Sequence, residues 1–257
     1  MRPILFKIFS RPIYGYGTMI AIGIIAAVIL INHRAKKKGY NEDNVLNMAI
    51  LAVVLGIVGG KVLYIITELR SIVNNPSQLK DIGSGFVVYG SLLGGMLGVY
   101  LYCRKKNWKF LKICDLAIPS VALAQGFGRI GCFFAGCCYG RPTTSFIGVK
   151  FKEGSLGPID TCVLPTQIFS SVFDFLLAAF LLWYDKKERK DGRVFALYLI
   201  IYSLGRFAVE FLRDDPRGNV GVLSTSQFIG IFIVLAGIAL YNIDKIRKKS
   251  VKENADD

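Results

Sequence analysis

The hydrophobic positions of this chain fall into seven long runs that are separated by shorter polar stretches. The runs cover about residues 13–33, 45–66, 86–103, 114–135, 166–184, 194–212 and 222–242. Each run is close to the roughly 20 residues that an α-helix needs to cross the hydrocarbon core of a bilayer. The pattern therefore predicts an all-α integral membrane protein with about seven transmembrane helices. The fourth run is interrupted by Arg129 and by the glycines at 126, 128 and 131.

The composition favours the same class of protein. Hydrophobic residues make up 53% of the chain, and charged residues make up 19%, against roughly 25% in soluble domains. Residues 1–12 lack a short apolar run that ends in a small-residue cleavage site, so we expect the first run to be a retained helix. Because no long linker or internal repeat interrupts the runs, residues 1–257 are expected to form a single transmembrane domain.

The positive charges alternate between the connections that join the runs. The chain has a net charge of +14, and most of its Lys and Arg residues lie at 34–38, 104–112, 186–193 and 245–252. Positive connections mark the cytoplasmic side of a membrane protein. We therefore predict an N-terminus outside, a C-terminus in the cytoplasm and an outward-facing loop at about 136–165. This distribution argues against nucleic acid as a partner and for attraction to anionic membrane lipids.

Two arginines lie inside apolar runs, Arg129 in the fourth and Arg206 in the sixth. A charge at membrane depth costs about 2.5–3.5 kcal/mol on insertion scales, so it needs a buried partner or an anionic ligand such as a phospholipid head group. Glu210 lies four residues after Arg206, shares its helix face and can pair with it, and Arg213 follows on that face. Arg129 has no such neighbour, so its partner must come from another helix or from a ligand.

Four of the six cysteines fall on or near the predicted outer side, and they leave three interpretations open. These residues are Cys132, Cys137, Cys138 and Cys162. We rank a disulfide first, free thiols second and a metal site third, because their spacing matches no zinc pattern. The only histidine, His33, lies at the inner end of the first run. In the third run, Gly90 and Gly94 form a small-xxx-small pair that predicts close helix packing.

Several motifs together resemble one known family. They are Tyr16-Gly17, the run Tyr89-Gly90-Ser91-Leu92-Leu93-Gly94-Gly95, Gly128-Arg129-Ile130-Gly131 with the trailing Gly140, Pro165-Thr166-Gln167, and Gly205-Arg206 followed by Glu210-Phe211-Leu212-Arg213. In this order, from about residue 12 to 242, the chain is similar to the prolipoprotein diacylglyceryl transferase family. The signature that contains Arg129 is the most specific of these motifs.

The resemblance implies a seven-helix transferase of the bacterial plasma or inner membrane. Its substrates would be phosphatidylglycerol and prolipoprotein lipobox peptides. The diacylglyceryl group would move from the lipid to the lipobox cysteine thiol, which forms a thioether and releases glycerol phosphate. No metal and no organic cofactor is expected for this reaction.

The resemblance also implies a set of site residues. The catalytic residues would be Arg129, Arg206 and Tyr89. The substrate-binding residues would be Tyr16, Arg129, Gly140, Gln167, Tyr202, Arg206, Glu210 and Arg213. The two arginines are expected to hold the lipid phosphate, because a guanidinium stays charged and binds phosphate oxygens bidentately. Tyr89 is the candidate for polarising the thiol or for hydrogen bonding to the head group.

The chain departs from the usual family signature at several positions. The usual Asn, Asn and Glu are Cys132, Ala135 and Cys137 here, and Tyr89 replaces a histidine found in many members. Two alternative functions follow from these departures. One is a related protein that binds phospholipid without transferring it, and the other is a membrane thiol-redox protein that uses Cys132, Cys137 and Cys138.

Overall fold

The computed structural model describes residues 4–8, 11–74, 85–215 and 218–243. Seven long helices lie in these ranges, and each of them covers one of the predicted runs. They are α1 (Gly15–Lys37), α2 (Glu42–Thr67), α4 (Val88–Lys106), α5 (Phe110–Ala135), α6 (Thr166–Tyr184), α7 (Arg193–Glu210) and α8 (Thr225–Tyr241), with a short α3 (Leu69–Asn74) after α2. The run that is interrupted by glycines and Arg129 therefore forms one continuous helix, α5.

Four helices, α1, α2, α5 and α6, are long and apolar enough to cross a membrane. α4 ends in three basic residues, Arg104, Lys105 and Lys106, and α7 carries Arg206 and Glu210. α8 is apolar but has 17 residues. The apolar helices show that the chain is an integral membrane protein.

Two small antiparallel hairpins accompany the helices, and no pattern in the sequence predicted them. β1 (Ile4–Ile8) pairs with β2 (Arg11–Tyr14), and β3 (Asn219–Val220) pairs with β4 (Leu223–Ser224). The second hairpin leads directly into α8. There, the Ser224 hydroxyl accepts a hydrogen bond from the Gln227 N–H and the Gln227 side chain accepts one from the Ser224 N–H, which caps the helix.

The chain divides into two compact units, Ile31–Ile113 in one and Met1–Leu30 with Cys114–Asp257 in the other. In the unit Ile31–Ile113, α2 packs against α4 along glycines of both helices. A Cβ at Gly94 would lie 2.9 Å from the carbonyl carbon of Leu55 and 3.2 Å from the Cα of Gly59. The close packing predicted for Gly90 and Gly94 is therefore confirmed.

The other unit has its core between α5, α6 and α7. Buried side chains of all three helices form one cluster: Ile118, Ala122, Leu177, Ala178, Leu181, Val194 and Tyr198. The carboxylate of Asp115 accepts hydrogen bonds from the N–H groups of Gly192 (2.6 Å) and Phe195 (2.7 Å) at the start of α7. This contact satisfies donors that a helix N-terminus leaves without intrahelical partners. It also ties the start of α7 to α5.

Candidate functional site

The charged residues of α7 form an ion-pair chain around the buried Glu210. Its Oε2 lies 2.5 Å from Nη1 of Arg206 and 3.7 Å from Nη1 of Arg213. Arg213 in turn donates two hydrogen bonds to the Asp215 carboxylate, at 2.8 and 2.7 Å. The pairing that the sequence predicted for Arg206 and Glu210 is therefore confirmed. Arg206 also donates a hydrogen bond from Nη2 to the Ser226 hydroxyl, at 3.2 Å.

Arg129 meets its partners on neighbouring helices, as its sequence position required. Arg129 of α5, Asp174 of α6 and both Tyr202 and Arg206 of α7 line one cavity, together with Ser170, Phe173, Gly205 and Val209. Asp174 is 1% exposed and interacts electrostatically with both Arg129 and Arg206. The fold thus brings together two arginines that lie 77 positions apart in the chain.

Sequence reasoning missed Asp174. A signal for it was present, because Asp174 is the only charged residue between positions 166 and 184. An ionisable side chain within a membrane-spanning segment marks a functional site by default. The structure adds the reason for its presence, which is that its carboxylate interacts with two half-buried guanidinium groups.

The loop after α5 is folded back by two residues in the left-handed backbone region, Gly136 (φ 80°) and Cys138 (φ 61°). Two side chains of the first turn of α6 hold this loop. The Thr166 hydroxyl donates to the Cys138 carbonyl at 2.6 Å, and the Gln167 amide donates to the Cys137 carbonyl at 2.7 Å. Gln167, which the resemblance implied to be a substrate ligand, is buried and contacts the loop backbone here.

Gly140 continues this loop between the start of α6 and the end of α7. Its N–H donates to the Leu164 carbonyl at 2.9 Å, and the next residue donates to the Leu212 carbonyl. A Cβ at Gly140 would lie 2.7 Å from the Leu212 carbonyl oxygen and 2.7 Å from Cγ2 of Thr166. Glycine is needed at this position because the Leu212 backbone and the Thr166 and Leu164 side chains occupy the space that a Cβ would need.

Three thiols meet at the end of α5. The Sγ atoms of Cys132, Cys137 and Cys138 all lie within 4.8 Å of one another. All six cysteines lie in the described part of the chain and none of them forms a disulfide, so the first-ranked interpretation of the cysteines was wrong. Hydrogen bonds with Cys132 and Cys137 lower the pKa of the Cys138 thiol, and the positive charges of Arg213 and Arg129 act in the same direction.

The tyrosines expected in the site have different surroundings. Tyr16, at the start of α1, interacts electrostatically with Arg129 and with the thiol cluster. Tyr202 interacts electrostatically with Arg129 and stacks on Tyr198, with ring centroids 5.3 Å apart. Tyr89 is the second residue of α4 and is half-buried. It lies in the unit Ile31–Ile113, whereas every other expected site residue lies in the unit that contains α5, α6 and α7.

Chemically, this arrangement suits a ligand with a negatively charged group. Guanidinium groups stay charged inside a protein and present five N–H donors in a planar fork. Arg206 bonds to Glu210 and Ser226 and still has donors for a further acceptor. A thiol cluster lies close to Arg129. The site therefore combines an anion-binding pair of arginines with sulfur chemistry.

Comparison with known proteins gives one consistent result. A family model described as prolipoprotein diacylglyceryl transferase matches residues 3–243. A protein of Clostridium tetani named phosphatidylglycerol–prolipoprotein diacylglyceryl transferase is 61% identical over 249 residues, which cover 97% of this chain and 100% of that protein. One of Clostridium perfringens with the same name, numbered 2, is 55% identical over 96% of this chain and 97% of its own length.

More distant relatives carry the same name. A protein of Dehalococcoides mccartyi is 32% identical over 254 residues, which cover 98% of this chain and 97% of that protein. The resemblance that the sequence motifs suggested is confirmed, and the chain belongs to the prolipoprotein diacylglyceryl transferase family.

Proposed function

We propose that this chain transfers the diacylglyceryl group of phosphatidylglycerol to the lipobox cysteine of prolipoproteins in the bacterial plasma or inner membrane. The observation that carries the proposal is the cavity shared by Arg129 and Arg206, which offers two half-buried guanidinium groups to a lipid phosphate. Its position in an integral membrane protein suits a phospholipid donor. The names of the relatives supply the substrates and the transferred group.

The two arginines bind the phosphate of the donor lipid and stabilise the transition state. When the thiolate attacks the glyceryl carbon, the carbon–oxygen bond to the phosphate breaks and negative charge grows on the leaving phosphate. Fixed guanidinium groups in a water-poor site stabilise this growing charge without reorganising. Asp174 and Glu210 hold the two guanidinium groups in place through their opposite charges.

The remaining expected residues shape the site around this pair. Tyr16 and Tyr202 flank Arg129 and offer hydroxyl groups to the lipid head group. Gln167 and Gly140 act through the loop that they hold in place. Arg213 pairs with the same Glu210 carboxylate as Arg206. For Tyr89, which lies in the unit Ile31–Ile113, the role expected from the family resemblance, with the thiol or the head group, stays a prediction.

We further propose that residues 1–257 act as one transmembrane domain in which all seven long helices cross the membrane. The N-terminus lies outside and the C-terminus lies in the cytoplasm. The alternation of the basic connections supports this topology. Cysteines introduced as Lys105→Cys and Lys187→Cys should be protected from an impermeant thiol reagent applied outside, whereas Lys150→Cys should react. Labelling of Lys187→Cys from outside would overturn this topology.

Transfer between purified components tests the proposed function. The protein in detergent is mixed with phosphatidylglycerol that is labelled in its acyl chains and with a lipobox peptide. We expect the label to become attached to the peptide and glycerol phosphate to appear in equal amount. The same peptide with serine in place of cysteine is the control and should remain unlabelled. If the protein binds the lipid but labels no peptide, the protein is a phospholipid-binding relative without transferase activity.

A further inference from the structure

The cluster of Cys132, Cys137 and Cys138 has no role in the phosphate chemistry described above. Its three Sγ atoms lie within 4.8 Å of one another at the end of α5. Tetrahedral zinc–thiolate bonds of about 2.3 Å place neighbouring sulfur atoms roughly 3.8 Å apart. Small side-chain rotations are therefore enough to bring the three sulfur atoms to one metal ion.

The backbone around the cluster is built so that the thiols converge. Cys138 is one of two non-glycine residues with positive φ in the described chain, at 61°. Such strain persists where the surroundings hold it, and it concentrates at functional sites. Here, Thr166 and Gln167 hold the carbonyls of Cys138 and Cys137. Hydrogen bonds of this kind from residues behind a metal site orient its ligands.

The number of ligands indicates the kind of metal site. Within the described ranges, the cluster has three members, and no further Cys, His, Asp or Glu joins it. Structural zinc sites normally have four protein ligands, whereas catalytic sites have three and keep one position for water or substrate. Three thiolates at the end of α5 therefore match a site with one open position.

The charges near the cluster also fit a metal that is bound by thiolates. Arg129 interacts electrostatically with Cys132 and Cys138, and Arg213 interacts with Cys138. Three thiolates and one Zn²⁺ carry a net charge of −1, and a fourth thiolate makes it −2. In a poorly hydrated site such charge needs nearby opposite charge. The two guanidinium groups provide it.

We propose that Cys132, Cys137 and Cys138 bind Zn²⁺ and that the lipobox cysteine of the prolipoprotein occupies its fourth position as a thiolate. The identity of this fourth ligand rests on the proposed transferase function. A thiol that coordinates zinc is deprotonated outright, and the thiolate is the nucleophile. The structure thereby offers a way to activate the substrate without a protein base, whereas no metal was expected from the family resemblance.

The proposed step balances as follows. The peptide thiol binds Zn²⁺ and releases its proton to water. The sulfur electron pair then forms a bond to the terminal glyceryl carbon of phosphatidylglycerol, and the carbon–oxygen bond to phosphate breaks. The electron pair of the broken bond stays on the phosphate, so the products are a neutral thioether and the glycerol phosphate dianion. No oxidant or reductant takes part.

The first experiment measures metal binding without any substrate. The purified protein is stripped with a chelator and titrated with Co²⁺, which gives thiolate-to-metal charge-transfer and tetrahedral d–d absorption at such a site. We expect both bands for the wild type and for the control Cys162→Ser. We expect them to be lost in Cys132→Ser, Cys137→Ser and Cys138→Ser. Unchanged spectra in these three variants, or no bands in the wild type, would overturn the site.

The oxidation state of the thiols is measured on the same samples. Thiol counting and intact mass on protein purified without reductant distinguish a metal-bound cluster from a disulfide. We expect three thiols that become reactive only after the metal is removed. A mass lower by two hydrogens that maps to these cysteines, with no bound metal, would overturn the proposal in favour of redox chemistry.

The second experiment tests the open position. A lipobox peptide is added to the Co²⁺-loaded protein in the absence of phosphatidylglycerol, and the small thiol 2-mercaptoethanol serves as a second probe. We expect the charge-transfer band to grow with the cysteine peptide and with mercaptoethanol, but not with the serine peptide. If neither thiol changes the spectrum, the fourth ligand is not a substrate thiolate. This result does not depend on whether transfer occurs.

The third experiment connects the metal with transfer. A free thiol with a pKa near 8.5 is only about 3% ionised at pH 7, so loss of zinc should slow transfer roughly 30-fold through this effect alone. The difference in transfer rate between the zinc-loaded and the metal-free protein should shrink as the pH approaches 9. Equal rates at pH 7 would overturn the catalytic role of the metal. Metal and peptide binding without any transfer would instead contradict the proposed function and leave the metal site standing.

Discussion

The α2–α4 pair and the α5–α6–α7 group both contain glycine-rich helices, but their glycines have different neighbours. Between α2 and α4, glycine faces backbone, as Gly94 does against Leu55 and Gly59. Between α5, α6 and α7, glycine faces aromatic rings. A Cβ at Gly126 would lie 2.6 Å from the Phe175 ring, and Gly205 lies against the Phe173 ring.

This difference shows how similar sequence patterns produce a closed contact in one place and a cavity in the other. When backbone packs on backbone, two helices approach closely and leave no space between them. A glycine has no side chain and leaves a notch in the surface of its helix. When an aromatic ring fills this notch, the two helices stay about one side chain apart. Phe173, which occupies such a notch, also lines the cavity of Arg129 and Arg206. The glycines of α5 and α7 thus let rings pack beside a space that is kept for charged groups.

The largest expected effect follows from the charged groups of the α5–α6–α7 region, because they line the cavity of Arg129 and Arg206. We expect Arg129→Lys and Arg206→Lys each to slow transfer by about 100- to 1000-fold, or about 2.7–4 kcal/mol, because lysine keeps the charge but loses the planar two-donor contact. The rate of transfer from labelled phosphatidylglycerol measures this. Arg189→Lys, at an exposed position, is the control. Near-normal rates in both site variants would leave only a structural role, since a lysine at position 206 could still pair with Glu210.

A second change acts on the closed α2–α4 contact. Gly94→Ala should destabilise the protein by about 1–3 kcal/mol, because even a Cβ at this position would lie only 2.9 Å from the carbonyl carbon of Leu55. The midpoint of thermal unfolding in detergent measures the change. Gly95→Ala is the matched control, since the nearest atom to a Cβ there is the Ala52 carbonyl oxygen at 3.4 Å. Equal midpoints for the two variants would contradict the close packing.

A third change tests the contact between glycine and an aromatic ring. Gly126→Ala should destabilise the protein by about 1–3 kcal/mol, because its Cβ would overlap the Phe175 ring. Phe175→Leu in the same chain should restore much of the loss, because a smaller side chain frees the notch. The same unfolding midpoint measures both variants. If the loss of stability in the double variant equals the sum of the losses in the two single variants, the ring and the glycine are not coupled.

The smallest expected effect on stability concerns a helical glycine with neither kind of neighbour. Among the described residues, no atom apart from its chain neighbours and the nearby backbone of its own helix lies within 4 Å of a Cβ placed on Gly128. Gly128→Ala should therefore leave stability unchanged or raise it by up to about 1 kcal/mol through helix propensity. We nevertheless expect transfer to fall, because an added methyl group would fill space beside Arg129, where the lipid phosphate is proposed to bind. A variant with normal transfer would show that the open space next to Gly128 is not used by the lipid.

The helices and the contacts within them could be predicted from local patterns. Apolar runs of the length of a bilayer marked all seven long helices to within a few residues. The pairing of Arg206 with Glu210 followed from a spacing of four residues, because this spacing places two side chains on one helix face. The two hairpins escaped prediction, since strands of two to five residues leave little periodic signal.

The contacts between helices depended on the tertiary structure. Asp174 and Arg129 lie on different helices, and no spacing rule links them. Gln167 and Gly140 shape a loop whose path is set by hydrogen bonds to the first turn of α6 and to residues just before α6 and just after α7. For these residues, the family motif indicated importance, and the fold supplied the physical contact.

By itself, the sequence determined the membrane class, the helices and the family, because these depend on composition, periodicity and short motifs. Only the tertiary structure decided that Cys132, Cys137 and Cys138 meet within 4.8 Å instead of forming a disulfide. Their spacing along the chain matches no zinc pattern, because patterns of that kind assume regular local turns. The left-handed backbone at Gly136 and Cys138 brings the thiols together, and the first turn of α6 holds it in place.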